Sequence, residues 1–163
     1  VIVGNARCSG ADIQIAGARH DNYSTLVSSS SLSVVRALQF VGGLLYCTET
    51  EADEGIWAIA PDGTLTQLND GGFNWSLPDA MVYEADTDTF LVGDGENLWR
   101  VARTGGTPVQ VGSGFGAISG LTFDDEGRLY VADRVNQVIW QVVPEPASLV
   151  LLTLGGMLIA RRR

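Results

Sequence analysis

Ser119-Gly120-Leu121-Thr122-Phe123, Arg128-Leu129-Tyr130-Val131-Ala132-Asp133 and Ile139-Trp140-Gln141-Val142 are three short runs rich in β-branched and aromatic residues. The acidic Asp124-Asp125-Glu126-Gly127 lies between the first two, and Asp133-Arg134-Val135-Asn136 leads to the third. Runs of this length and composition, bounded by Asp, Asn and Gly, read as strands joined by tight turns. The same succession stands twice upstream. Asp79-Ala80-Met81-Val82-Tyr83 precedes Thr89-Phe90-Leu91-Val92-Gly93-Asp94 and Leu98-Trp99-Arg100-Val101. Arg36-Ala37-Leu38-Gln39-Phe40 precedes Leu44-Leu45-Tyr46-Cys47 and Ile56-Trp57-Ala58-Ile59. Phe40, Tyr83 and Phe123 are 43 and 40 residues apart, and Trp57, Trp99 and Trp140 are 42 and 41 apart. A weaker copy, Ile13-Gln14-Ile15, lies 44 residues before Trp57.

Gly42-Gly43, Pro61-Asp62-Gly63 and Thr104-Gly105-Gly106 supply further turns, and Pro61-Asp62-Gly63 is expected to close a hairpin between residues 56–60 and 64–68. No stripe of 3.6-residue period persists before residue 147, which excludes a helical body. Three or four antiparallel strands in a unit of about 42 residues is the pattern of propeller blades. The expected fold is therefore all-β. Residues 1–142 would form a partial β-propeller of about three to four four-stranded antiparallel blades, followed by a short C-terminal transmembrane helix. A closed ring needs roughly four to eight blades, so the expected blades alone leave two sheet faces uncovered. The sequence opens on Val1-Ile2-Val3-Gly4, in what reads as mid-strand, without a leader. The expectation is a fragment whose N-terminal part is missing. The last unit, residues 117–142, resembles blades of the NHL and SMP-30/gluconolactonase-like six-bladed propellers, and the resemblance extends loosely over residues 36–142.

The chain has ten arginines, no lysine and nineteen acidic residues. Three of the arginines are the last three residues, so residues 1–160 carry seven positive charges against nineteen negative, a net of −12. Such a body repels nucleic acid, whose phosphates need a basic patch. Cys8 and Cys47 form no CxxC or Cys/His cluster, and no metal site is read from them. An exported chain can join them as a disulfide, but Cys47 sits in the apolar run Leu44-Leu45-Tyr46-Cys47 and is read first as a buried free thiol.

The end of the chain is a different object. Pro144-Glu145-Pro146 breaks the strand pattern, because proline fixes φ and lacks an N–H. Fourteen uncharged residues, 147–160, follow, and the chain ends at Arg161-Arg162-Arg163. A helix of that length spans roughly 21 Å, short of a ~30 Å hydrocarbon core. Snorkelling arginines and local thinning cover part of the gap. The arginines are expected to stay cytoplasmic and the body to lie on the far side of the inner membrane. The three parts together resemble the PEP-CTERM sorting signal, over residues 143–163. The resemblance implies that Pro144, Glu145 and Pro146 are recognition residues for an exosortase. It further implies that Arg161, Arg162 and Arg163 form the cytoplasmic stop, and that 147–160 is a temporary inner-membrane anchor. The body would be periplasmic at that stage and then pass to the cell surface or extracellular matrix, with exopolysaccharide or another surface component as a further partner.

Little in the body reads as catalytic. His20, the single histidine, lies in the polar stretch Ala18-Arg19-His20-Asp21-Asn22 without a Ser or Cys partner in a recognisable elbow. Gly112-Ser113-Gly114-Phe115-Gly116 lacks the Lys-Ser/Thr of a phosphate loop and reads as a connector. Asp124-Asp125-Glu126-Gly127 is too short for a calcium loop of the EF-hand type. The repeated tryptophans read as packing residues. The carboxylates carry the one site hypothesis. Asp94 and Asp133 end the second run of successive units, Glu49 and Glu51 lie near the matching place, and Asp79 opens a first run. Glu49, Asp79, Asp94 and Asp133 are thus candidate channel-face carboxylates able to hold a divalent cation through oxygen. The competing reading has Asp94 and Asp133 accept backbone N–H groups in the turn after the strand. The expected function is a non-enzymatic surface or matrix protein with a propeller as binding or structural module, without a cofactor. The alternative is a metal-dependent propeller hydrolase or lactonase of the SMP-30 kind, or a lyase.

Overall fold

The computed structural model describes residues 25–68 and 72–143. Every regular element among them is a strand. β1 (Val35–Val41), β2 (Leu44–Glu49), β3 (Gly55–Ile59) and β4 (Leu65–Gln67) form one antiparallel sheet in sequence order. β5 (Pro78–Glu84), β6 (Thr89–Asp94), β7 (Asn97–Ala102) and β8 (Val109–Ser113) form a second, and β9 (Ile118–Phe123), β10 (Leu129–Asp133) and β11 (Val138–Val142) a third. The repeat therefore builds three successive meanders. Two have the expected four strands and the last has three, and the described residues form no closed ring. Among them no helix is long and apolar enough to cross a membrane. Cys8, Ile13-Gln14-Ile15, His20, Pro144, Glu145, Pro146, the span 147–160 and Arg161, Arg162 and Arg163 lie outside the described residues.

Turn chemistry sets the strand ends. Pro61-Asp62-Gly63 closes the hairpin expected of it: the Ala60 N–H donates to Thr64 O at 2.9 Å and the Gly63 N–H to Ala60 O at 2.9 Å. The acidic turn repeats this, with Asp124 N–H on Arg128 O at 3.1 Å and Gly127 N–H on Asp124 O at 3.0 Å. The Asp124 carboxylate then takes the Glu126 and Arg128 amides at 3.0 and 2.8 Å and the Arg128 guanidinium at 2.6 Å.

The sheets stack face to face. Tyr46, Ile56 and Ala58 of the first sheet meet Met81, Phe90, Val92 and Val101 of the second, with Trp75 of the connector between them. On the opposite face of the second sheet, Ala80, Leu91 and Leu98 meet Ile118, Leu129 and Val131 of the third. Phe90, Leu91 and Val92 are thus all buried, in both directions, which is why β6 is a continuous apolar run and not an alternating one. Each such side chain contributes roughly 1.5–3 kcal/mol when fully buried. The first strands lie side by side, β5 touching β1 on one flank and β9 on the other.

The tryptophans divide by position. Trp99 packs against the first core beside Phe73, ring centroids 4.8 Å apart. Trp57 is half-buried and donates its indole N–H to Asp53 O at 3.0 Å. Trp140, read as a packing residue, is 46% exposed, because none of the described residues forms a sheet over that side of β11. Ile139 and Val138 beside it are exposed too, as are Leu38 and Phe40 on β1. These are apolar positions at the two ends of the stack, where the repeat leaves sheets without a neighbour.

Gly93 marks the closest approach of the second and third sheets. A Cβ there would lie 2.3 Å from Ile118 Cγ2 and 2.7 Å from Ile118 Cβ. Gly93→Ala is expected to destabilise the body by about 1–3 kcal/mol through overpacking. Urea denaturation checks it. The double variant with Ile118→Ala should lose less than the two single losses combined, by more than ~0.5 kcal/mol.

Candidate functional site

Each second strand ends in a carboxylate: Glu49 on β2, Asp94 on β6, Asp133 on β10. All three residues are buried. A buried charge is tolerable only when its lone pairs are filled, and here backbone amides fill them. Glu49 accepts from Val34 at 2.9 Å and from Glu51, Ala52 and Asp53 at 2.9–3.1 Å. Asp94 accepts from the Ser76 amide at 2.9 Å and from that of Leu77. Asp133 accepts from the Gly116 and Ala117 amides at 2.8 and 3.1 Å, and from the Asn136 amide and side chain at 3.0 and 2.8 Å. The indole of Trp140 reaches it as well, at 3.3 Å. Burial pushes the Asp133 carboxyl up, but the donors from Gly116, Asn136 and Ala117 outweigh it and hold it well below the usual carboxylate range. Gly116 is the one residue type that fits here. Any Cβ would sit 2.8–2.9 Å from Val135 Cβ, Asn136 Nδ2 and Asp133 Oδ1.

A second repeated feature sits beside the first. The residue after each carboxylate donates its N–H back to the connector: Thr50 to Val34 O at 3.2 Å, Gly95 to Leu77 O at 3.3 Å, Arg134 to Ala117 O at 3.0 Å. Immediately beyond, each first strand carries a β-bulge. Pairing runs Pro78↔Asp94 then Ala80↔Gly93, leaving Asp79 as the extra residue. It runs Ile118↔Asp133 then Gly120↔Ala132, leaving Ser119. On β1 it runs Val35↔Glu49 then Leu38↔Cys47, with Ala37 bonded to Thr48 Oγ1 and Arg36 the extra residue. A bulge takes one residue out of the ladder and re-aims its side chain. Arg36, Asp79 and Ser119 thus occupy one position in three adjacent strands.

Asp79 is the hub of that row. Its side chain is 8% exposed and meets Arg36 Nε at 3.2 Å and Arg134 Nη1 at 3.5 Å. It thereby links all three sheets. Of the four carboxylates singled out in the sequence, Glu49, Asp94 and Asp133 are each bonded to amides, and Asp79 is flanked by two cations. Among the described residues, no group of three His, Cys, Asp or Glu side chains is placed to hold a metal ion. Arg36, Ser119 and Arg134 were not singled out as site residues. The signal was present, since Arg36, Asp79 and Ser119 open the three quoted first runs, but the bulge that gives the position meaning is invisible in a linear pattern. Cys47 carries a free, fully buried thiol, which burial and then the Glu49 charge push up to about 12. At that value it is protonated and inert.

Residues 142–163 match the family described as the PEP-CTERM protein-sorting motif. That match covers the end of the chain and not its body. No protein of curated function matches the sequence. Among solved structures, the chain is similar to the computationally designed Ika4 protein, with a TM-score of 0.52 and 13% identity over 68% of this chain and 66% of that one. It is also similar to the extracellular domain of the putative hybrid two component system BT4673 from B. thetaiotaomicron, with a TM-score of 0.50 and 11% identity over 70% of this chain. The match spans 17% of that larger chain. At these identities the likeness concerns the fold alone.

Two outcomes follow from the carboxylate clamps. Glu49→Ala strips the amides of Val34, Glu51, Ala52 and Asp53 of their acceptor and should cost about 1–3 kcal/mol in urea denaturation. Asp133 has a lowered folded pKa, so its contribution is complete above the unfolded value of about 3.9 and is lost as pH falls through the folded one. The stability gap between the wild type and Asp133→Asn should be widest above about pH 4 and shrink toward pH 2. Urea titrations at a series of pH values check this.

Proposed function

We propose that this is an exported bacterial protein sorted through its C-terminus, with a β-propeller body that binds or builds and does not catalyse. The observation that carries the reading is the sorting-motif match over residues 142–163. In it, an exosortase recognises Pro144, Glu145 and Pro146. Residues 147–160 hold the chain in the inner membrane, with Arg161, Arg162 and Arg163 as the cytoplasmic stop. Residues 1–142 are the exported module, periplasmic while anchored and then passed to the cell surface or matrix.

The propeller reading is supported by three meanders of one strand order, stacked through both faces of the middle sheet, with first strands adjacent. The exposed apolar positions on β1 and β11 are where further blades would pack. A binding or structural role is preferred because Glu49, Asp94 and Asp133, the residues a channel cation would call on, are bonded to amides within their own sheet and its connector. The metal-dependent hydrolase reading gains no specific observation.

The test is fractionation and intact-mass measurement in a host with an active exosortase. The wild-type chain should lose its C-terminal segment and leave the inner-membrane fraction. Replacing Pro144, Glu145 and Pro146 together by alanine should leave it full-length and membrane-bound. Identical mass and fraction for both proteins would overturn the sorting reading.

A further inference from the structure

We propose that Arg36 and Arg134, splayed on either side of Asp79, form a binding site for a small ligand bearing one carboxylate. The charge count singles out the place. Three other arginines lie among the described residues, and each has a carboxylate of its own. Arg100 meets Glu84 at 3.1 Å, Arg103 meets Asp88 at 2.6 Å, and Arg128 meets Asp124 and Glu126 at 2.6 and 2.8 Å. Arg36 and Arg134 alone share one. The cluster is net +1 in a chain whose residues 1–160 are net −12.

The geometry leaves donors over. A guanidinium carries five N–H groups in a rigid fork. Arg36 faces Asp79 through Nε and Arg134 through Nη1, and both side chains are about half exposed, at 46% and 51%. Neither guanidinium is enclosed, so N–H groups beyond those facing Asp79 remain for a ligand, while Asp79, nine-tenths buried, fixes both groups. Asp79 Oδ1 receives no in-line hydrogen bond, so the pairing holds position without saturating the fork. Ser119, in the same bulge position on β9, is exposed, but its hydroxyl donates to Ala132 O at 3.3 Å and is left out of the site. Two forks suit a planar carboxylate, which Arg binds bidentately. The acidic body sets the size of the ligand. Its field reaches about 8 Å at physiological salt, so repulsion grows with the charge of the ligand and is smallest for a single carboxylate.

The experiment is an NMR titration of the full chain in detergent, reading the Arg36 and Arg134 Nε–H and Ser119 amide signals. Glucuronate, acetate and glucose are added separately, with sodium chloride as the ionic control. Saturable shifts are expected with glucuronate and acetate and none with glucose. Tighter binding of glucuronate assigns the carboxylate to an acidic sugar, and equal binding assigns it to simple organic acids. Arg134→Gln, at the more exposed position, and Arg36→Gln should each weaken binding roughly tenfold, with lysine at either position intermediate because charge remains and the fork is lost. Should Arg36→Gln unfold by leaving Asp79 under-compensated, Arg134→Gln and Arg134→Lys decide alone. Absence of saturation up to about 10 mM, equal shifts with sodium chloride or glucose, or unchanged binding in folded Arg134→Gln would each overturn the proposal.

Discussion

A buried carboxylate at the end of each second strand holds the connector that feeds the first strand of the same sheet. Glu49, Asp94 and Asp133 do this with amide hydrogen bonds, and the next residue adds a backbone bond to the same connector. The connector is irregular backbone running into a packed interior, where unpaired N–H groups are costly. A carboxylate satisfies several at once, and its charge makes each bond stronger than a neutral one. The side-chain length follows the loop. Glu49 must reach three amides of the longer turn between β2 and β3, whereas Asp133 reaches Asn136 in a shorter one and Asp94 bonds only connector amides.

From that clamp the rest of each unit follows. With the connector fixed, the first strand enters one residue out of step with the second, and the bulge at Arg36, Asp79 or Ser119 absorbs the difference. The strands then pair regularly down to their hairpins. Sheets built in this way stack by apolar faces, and the middle one is covered on both sides. At the ends of the stack the same composition leaves Leu38, Phe40, Ile139 and Trp140 exposed.

The clamp also bears on function. Carboxylates repeated at equivalent positions look like a ligand ring when read from the sequence. In the folded chain the carboxylates of Glu49, Asp94 and Asp133 are used locally, and what reaches solvent at the adjoining position is a bulge row with Asp79 between two arginines. The sorting-motif match begins at the end of the last strand and covers none of these residues.

The sequence alone determined the first three strands of each unit, their turns and the unit of about 42 residues, because short β-branched and aromatic runs and Asp/Gly/Pro turns are local signals; β8, whose Gly112 and Ser113 read as a connector, was not legible. It also determined the sorting motif, a contiguous string read by another protein. Pro61-Asp62-Gly63 and Asp124-Asp125-Glu126-Gly127 form the hairpins that their residues call for. The buried thiol of Cys47 was likewise legible from its apolar run. Only the tertiary structure decided that Trp99 is packed while Trp140 is exposed, since that depends on whether another sheet covers the residue. It also decided that Glu49, Asp94 and Asp133 act as clamps, and that Arg36, Asp79 and Arg134, from three sheets and nearly a hundred residues apart at the extremes, meet at one point. A bulge is a mismatch between two strands, and an ion pair across sheets is a matter of stacking. Neither is a property of any one stretch of chain.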